Sequence, residues 1–316
     1  MGPIRTGQII RARCLLLLLA SLLIPIPAQQ STFKVDVRLV RLLITVKDAA
    51  GRLVGTLNKQ DFTVFDNGVQ QQISAFERRT EQPLSIAVLV DTSASTGIEL
   101  KYELDSVARF LRAVLREGNT DDAVALYSFN WQVTLHSSYS RRISRLEGAL
   151  KQLKSEGGTS LYDAIYLASG DLELRDGRHV IVVVTDGGDT TSSKSFHDAL
   201  QSAQLADTVL YPIVVIPITN EAGRNTGGEH ALTTFAAGTG GRIFLPAPGA
   251  ELDKAFDDIL RELRTQYLVG FYPHTPATKN RFHSLQVTLS APNLRAITRN
   301  GYYGDLEDST GRGQGR

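Results

Sequence analysis

The chain has 316 residues, of which 42% are hydrophobic, and a formal net charge of +1. This length and hydrophobic content indicate one large globular domain, or a domain with an appendage, and exclude a fibrous or repetitive protein. The near-zero net charge gives no electrostatic basis for binding nucleic acid or an anionic membrane surface.

Residues 1–28 have the pattern of a secretory signal peptide. Three arginines precede an apolar run at residues 15–26, and Ala28 provides a small residue for cleavage. The only cysteine, Cys14, lies before the apolar run, where a lipid anchor is not attached, so the mature chain is expected to lack cysteine. We expect secreted or periplasmic localisation. An uncleaved membrane anchor is the alternative, although the run is short for a full span, and no membrane span is expected after cleavage.

Residues 29–82 are predicted to form an N-terminal β-rich segment. Apolar residues alternate with polar ones from Phe33 onward, and Asp66-Asn67-Gly68 is a strong signal for a tight hairpin because Asn and Gly tolerate positive φ. The strands that this pattern predicts lie at residues 33–39, 42–46, 62–65 and 69–76.

Residues 83–265 change to alternating strands and helices. Apolar runs at residues 84–90, 179–185 and 209–216 are typical of buried parallel strands. Further strands are predicted at residues 123–129, 132–136 and 241–245, and helices at 98–117, 143–153, 161–169, 195–206, 230–237 and 252–264. This order predicts a doubly wound, mostly parallel, Rossmann-like sheet with helices on both faces.

Residues 266–304 return to a β pattern, and residues 305–316 are polar, glycine-rich and predicted to be a disordered tail. We expect the C-terminal β segment to pack with the N-terminal one as a smaller, sandwich-like unit. The α/β domain is then an insert between the two halves of that unit.

Oxygen-bearing side chains follow the predicted central strands. Asp91, Ser93 and Ser95 have i, i+2, i+4 spacing after the first strand, Thr159 follows two glycines, and Asp186 ends a later strand. Open α/β sheets bind ligands at the carboxyl ends of their strands, and oxygen ligands suit a hard cation. Each residue also has a purely structural interpretation, as a helix cap or a turn residue.

The set resembles the metal-ion-dependent adhesion site (MIDAS) of the von Willebrand factor type A (VWA) family. That motif combines Asp-x-Ser-x-Ser with a distant Thr and a distant Asp, and this chain has Asp-Thr-Ser-Ala-Ser at 91–95, Gly-Gly-Thr-Ser at 157–160 and Thr-Asp-Gly-Gly-Asp at 185–189. The β-rich ends, with Asp-Phe-Thr-Val at 61–64 and Gly-Tyr-Tyr at 301–303, resemble those of secreted bacterial VWA-domain proteins.

The resemblance implies a magnesium site, with Mn²⁺ or Ca²⁺ as substitutes. Ser93 and Ser95 would be direct ligands, and Thr159 would be direct or displaced. Asp91 and Asp186 would act largely through metal-bound waters, or one of them would bind directly. Asp189 is interpreted as a solvated loop acid, with the alternatives that it attracts cations to the site or supports the metal ligands without binding the metal. The implied function is adhesion, in which a protein partner presents an Asp or Glu carboxylate to the metal.

An enzyme is not expected. The nearest catalytic resemblance is to haloacid dehalogenase type phosphatases, which need a second carboxylate two residues after the first as general acid and base. Ser93 occupies that position, and no Gly-x-Ser-x-Gly elbow or phosphate-binding Gly-x-x-x-x-Gly-Lys loop is present. Two alternatives stay open, a metal-dependent hydrolase at the same crevice and an assembly component whose metal is purely structural.

Overall fold

The computed structural model of the chain describes residues 39–79, 81–96, 100–215, 226–275 and 281–304. The predicted signal peptide, the tail and most of the strand predicted at residues 33–39 lie outside this part. The strands are β1 (Val40–Asp48), β2 (Phe62–Asp66), β3 (Val69–Gln71), β4 (Ile73–Glu77), β5 (Leu84–Asp91), β6 (Ala123–Phe129), β7 (Val133–Ser140), β8 (Arg178–Thr185), β9 (Thr208–Val214), β10 (Tyr267–Phe271), β11 (Phe282–Leu289), β12 (Leu294–Ile297) and β13 (Gly301–Tyr303). The helices are α1 (Leu100–Glu117), α2 (Ile143–Leu150), α3 (Leu161–Glu173), α4 (Phe196–Leu205), α5 (Thr226–Thr239) and α6 (Ala250–Leu263).

A five-stranded sheet with the order β7-β6-β5-β8-β9 forms the centre of the α/β domain. Its strands pair in parallel except β7, which runs antiparallel to β6 at one edge. Every residue of β5 and of β8 is buried, as their continuous apolar runs predict. The pairing of β5 with β8 places Val90 beside Val184, so both strands end at the same edge of the sheet.

Helices cover both faces of this sheet. On one face, α1 and α6 pack through Phe110 and Phe256, whose rings stack with centroids 4.8 Å apart. On the other face, α4 and α5 meet through Phe196 and Phe235, at 4.4 Å between centroids. No helix among the described residues is long and apolar enough to cross a membrane.

Strands from both ends of the chain build two four-stranded antiparallel sheets. Their orders are β12-β1-β10-β4 and β13-β11-β2-β3, and their buried side chains form one common core. The α/β domain leaves this unit after β4 and re-enters it at β10, and these two strands are hydrogen-bonded neighbours with Glu77 opposite Leu268. The predicted fold class, an α/β domain with a smaller β-rich unit made from both chain ends, is confirmed.

A buried ion-pair cluster joins the two parts of the fold. Glu262, near the end of α6, has only 4% of its side chain exposed. Its Oε1 lies 2.6 Å from Nζ of Lys47 on β1 and 2.5 Å from Nε of Arg242. The carboxylate therefore connects the last helix of the α/β domain to the first strand of the β unit.

Two strand predictions were wrong. The strand predicted at residues 69–76 is interrupted at Gln72, where the chain passes from one β sheet to the other, as strands at sandwich corners do. The strand predicted at 241–245 forms only one bridge, between Phe244 and Ile213. The chain there runs along the edge strand β9, and Pro246 follows, a residue that has no N–H with which to continue the ladder.

Candidate metal centre

Asp91 is the last residue of β5, and its side chain is completely buried. Its Oδ1 accepts a hydrogen bond from the backbone N–H of Ser93 at 2.8 Å, and its Oδ2 accepts one from Thr185 Oγ1 at 2.6 Å. Burial raises the pKa of Asp91 to about 6, although the hydrogen bonds from Thr185 and Ser93 oppose this shift. The structure thus holds a carboxylate in a fixed orientation at the end of a strand, and not as a helix cap.

Ser93 and Ser95 form a pair of hydroxyls directly after Asp91. Their Oγ atoms lie 3.0 Å apart, and Ser93 is buried whereas Ser95 is exposed. The backbone carbonyl of Ser93 accepts hydrogen bonds from the hydroxyls of Thr96 and Ser155, each at 2.9 Å. The two hydroxyl oxygens are therefore presented together at a short 3-10 turn, residues 94–96, which Ser93 directly precedes and which a bond from Ser155 holds in place.

Thr159 lies on a loop that is hydrogen-bonded to the loop after Asp91. The N–H of Glu156 donates to the carbonyl of Thr92 at 2.8 Å, and Asn130 Nδ2 donates to Thr92 Oγ1 at 3.3 Å. The N–H of Thr159 donates to Thr190 Oγ1 at 2.9 Å, and its carbonyl accepts from the N–H of Thr190 at 2.8 Å. Thr159 is thus held between the other two loops, and its side chain is not the cap of α3, whose first flanking residue is Ser160.

Asp186 directly follows Thr185, the residue that holds Asp91. It is half-buried, and its charge contributes to raising the pKa of Asp91. The two carboxylates therefore repel each other at the carboxyl ends of the neighbouring strands β5 and β8, and a cation there would relieve this repulsion.

Asp189 is half-buried and accepts hydrogen bonds from the N–H of Tyr162 at 3.2 Å and from the hydroxyl of Ser192. These bonds tie the start of α3 to the loop after β8, so Asp189 is more than a solvated loop acid. Asp163, in the first turn of α3, makes the same connection by accepting from the N–H groups of Ser193 and Lys194. Both acids hold together the loops that carry Thr159 and Asp186.

The donor set fits a hard divalent cation better than a soft one. It consists of three hydroxyls and two carboxylates, the oxygen ligands that Mg²⁺, Mn²⁺ and Ca²⁺ prefer. Within the described ranges, no group of three or more His, Cys, Asp or Glu side chains is placed to hold a metal. A cation at this edge of the sheet would therefore depend on the hydroxyls of Ser93, Ser95 and Thr159.

Three supporting residues were missed from the sequence. Thr185 orients Asp91, Asn130 anchors Thr92, and Ser155 anchors Ser93. Thr185 could have been recognised from the sequence, because it is a hydroxyl residue directly after the apolar run at residues 180–184. Asn130 and Ser155 lie in polar loops, where no sequence pattern distinguishes them from their neighbours.

Residues 86–188 match the family model described as von Willebrand factor type A domain. Comparison with curated protein sequences gives no match.

The chain is also similar to several solved structures. One is the vWF domain of the type V pili tip protein Mfa5 from Porphyromonas gingivalis, with 15% identity, a TM-score of 0.47 and coverage of 58% of this chain and 95% of that one. A second is the conserved hypothetical protein BatB from Bacteroides thetaiotaomicron, with 16% identity, a TM-score of 0.46 and coverage of 57% and 98%. A third is the PilB minor pilin from Streptococcus sanguinis, with 12% identity, a TM-score of 0.47 and coverage of 59% and 62%.

None of these three structures exceeds 16% identity or a TM-score of 0.47, so no functional conclusion follows from them. The family match covers β5 to the start of the loop after β8, which includes Asp91, Ser93, Ser95, Thr159 and Asp186. Together with the five-stranded sheet covered by helices on both faces, this match shows a von Willebrand factor type A domain at residues 86–188 of the chain.

Proposed function

We propose that this chain is a secreted protein-binding module that captures a carboxylate of a protein partner through a divalent metal ion. The observation that carries the proposal is the arrangement of Asp91, Ser93 and Ser95. A buried carboxylate with both oxygens fixed stands next to two hydroxyl oxygens 3.0 Å apart, at the ligand-binding edge of a parallel sheet.

Ser93, Ser95 and Thr159 would hold the ion directly, while Asp91 and Asp186 would act mainly through metal-bound waters. When bound, the ion supplies a positive position that an incoming carboxylate can occupy in place of a water. Neutral hydroxyls leave most of the ion's charge uncompensated, which favours an anionic ligand from a partner. Mg²⁺ suits this role because it retains exchangeable waters, and Mn²⁺ or Ca²⁺ can use the same oxygens.

The same arrangement argues against catalysis. In phosphatases of the haloacid dehalogenase type the proton is transferred by a second carboxylate two residues after the first, and in this chain Ser93 occupies that position. Asp189 and Asp163 are engaged by backbone N–H groups that hold the loops together. We therefore propose a binding role and no enzymatic activity. Secretion rests on the signal-peptide pattern of residues 1–28.

Mn²⁺ binding tests the metal site directly. We expect Mn²⁺ to bind the full chain, measured by electron paramagnetic resonance of free Mn²⁺, and Mg²⁺ to compete with it. The Ser93→Ala and Ser95→Ala variants should bind Mn²⁺ much more weakly, whereas the control Ser74→Ala, which removes an exposed hydroxyl from β4, should bind it as the unmodified chain does. Equal Mn²⁺ binding by all four proteins would refute the site.

Solvent-proton relaxation with bound Mn²⁺ tests the carboxylate position. A short peptide with one Asp should lower the relaxation rate by displacing a metal-bound water, and the same peptide with Asn should not. Metal binding without this difference would instead support an assembly component with a structural metal. Metal-dependent turnover of a generic phosphoester, absent from the Ser93→Ala variant, would support the hydrolase alternative.

A further inference from the structure

Trp131 is the chain's only tryptophan, and it lies in the turn between β6 and β7. Its side chain is 57% exposed. The indole Nε1–H donates to Glu156 Oε2 at 3.0 Å, and Glu156 is itself an exposed residue. A large aromatic surface is thus held in one orientation towards solvent, with a carboxylate fixed to its edge.

Both residues are attached to the loops that carry the candidate metal ligands. The N–H of Trp131 donates to the carbonyl of Gly157 at 3.0 Å, two residues before Thr159. The N–H of Glu156 donates to the carbonyl of Thr92, which lies between Asp91 and Ser93. Gly158, with φ +80°, packs so closely that an added Cβ would lie 2.9 Å from Trp131 Cβ. The exposed pair therefore lies on the rim of the proposed metal site and is rigidly connected to it.

The chemistry of this pair favours a cation. The face of an indole ring attracts ammonium and guanidinium groups, and the ring accepts apolar groups as well. The carboxylate of Glu156 at the ring edge adds a negative charge that attracts a cation and repels an acidic side chain. It does not strengthen the binding of an apolar group. An Arg side chain can stack on the ring and donate hydrogen bonds to the carboxylate at the same time.

We propose that Trp131 and Glu156 form a second contact of the binding site, which takes an Arg or Lys side chain from the same partner segment that presents the carboxylate. This inference rests on the proposed function. The favoured ligand is then a protein segment with an acidic and a basic residue close together, the acid at the metal and the base on the indole.

Short synthetic peptides of glycine and serine test the pairing. Each carries one Asp and one Arg at varied spacing. Matched peptides replace Arg with citrulline, its neutral analogue, or replace Asp with Asn. Dissociation constants are measured for the full chain in excess Mg²⁺ by saturation-transfer NMR, which detects weak binding. At the best spacing, the Arg peptide should bind about threefold to tenfold more tightly than the citrulline peptide.

Variants of the chain show which side chains cause the preference for Arg over citrulline. Trp131→Ala should abolish the preference for Arg over citrulline, and Glu156→Gln and Trp131→Phe should reduce it. The control Leu174→Ala changes a side chain that is 86% exposed at the other end of α3 and should leave the preference unchanged. The backbone bond from residue 131 to Gly157 survives all these changes, and a thermal melt checks that each variant folds.

The outcomes separate the two proposals. Equal binding of the Arg and citrulline peptides, with Asp still favoured over Asn, overturns the cation contact and leaves the metal-carboxylate function standing. An Arg preference that persists in Trp131→Ala and Glu156→Gln also overturns the assignment. Equal binding of the Asp and Asn peptides overturns the proposed function and this inference with it.

Discussion

Asp91 predicts an unusual pH dependence of stability when no metal is bound. Its side chain is fully buried, and burial raises its pKa in the folded state from the ordinary value of 3.8 to about 6. Between these two pH values the folded chain keeps a proton that the unfolded chain has lost. The free energy of unfolding therefore falls as pH rises through this window, by about 3 kcal/mol for a single carboxyl group. Above about pH 6 Asp91 carries a buried negative charge, and the free energy of unfolding stays lower by this amount.

A bound divalent cation largely offsets this loss of stability above about pH 6. A ligand that binds only the folded state at one hundred times its dissociation constant adds about 2.7 kcal/mol, which nearly offsets the cost. Below pH 6 a proton occupies Asp91 and competes with the cation. The stabilisation that Mg²⁺ confers should therefore be large at about pH 7.5 and small at about pH 4.5.

Urea denaturation in EDTA, from about pH 4.5 to about pH 7.5, measures how the free energy of unfolding depends on pH. The same series in excess Mg²⁺ measures how much the cation stabilises the folded chain at each pH. The matched control is Asp91→Asn, which is neutral at every pH and keeps one oxygen acceptor. In EDTA at about pH 7.5 the variant should be about 1–3 kcal/mol more stable than the unmodified chain, since it loses the buried charge and one hydrogen bond of about 1 kcal/mol. Mg²⁺ should not raise the free energy of unfolding of this variant. Parallel profiles of stability against pH for the two proteins in EDTA would show that Asp91 does not lower the stability of the folded chain above about pH 6.

Three further predictions concern contacts described above. Thr185→Val removes the 2.6 Å hydrogen bond to Asp91, so Mg²⁺ affinity measured by calorimetry should fall at least about tenfold, and unchanged affinity would contradict the role of Thr185. Gly158→Ala should cost about 1–3 kcal/mol and weaken Mg²⁺ binding, because of the positive φ and the contact with Trp131, whereas Gly157→Ala, with nothing within 4 Å of the added Cβ, should be neutral in both assays. Glu262→Gln removes the buried negative charge beside Lys47 and Arg242 but keeps an oxygen acceptor, and should cost about 1–3 kcal/mol in urea denaturation, whereas unchanged stability would show that the cluster is not coupled to folding.

The central sheet could be predicted because its strands are buried on both faces. Such strands are apolar at nearly every position, and the carboxylates at their carboxyl ends, Asp91 as the last residue of β5 and Asp186 directly after β8, mark the edge where open α/β sheets bind ligands. Adjacency of β5 and β8 then follows from the order of a doubly wound sheet. Residues at strand ends are thus the part of the candidate site that local patterns predict best.

The rest of the site depends on contacts between distant loops. The bonds from Asn130 to Thr92 and from Glu156 to the Thr92 carbonyl join segments far apart in sequence, and nothing in their local composition indicates the pairing. The same limit explains the error at Gln72. Alternation predicts that residues 69–76 are extended, but it does not tell which of two sheets each half joins.

The insertion point of the α/β domain determines how a pull on that domain reaches the β unit. Both connections emerge from the paired ends of β4 and β10, where Glu77 lies opposite Leu268. A pull on the α/β domain is therefore directed along two adjacent strands, and β10 is also paired with β1 on its other side. Hydrogen bonds in antiparallel pairs run perpendicular to the strands, so force along the strands loads many of them at once in shear and does not open them one by one. The junction therefore places the hydrogen bonds between β10 and β1 in shear when the α/β domain is pulled away from the β unit.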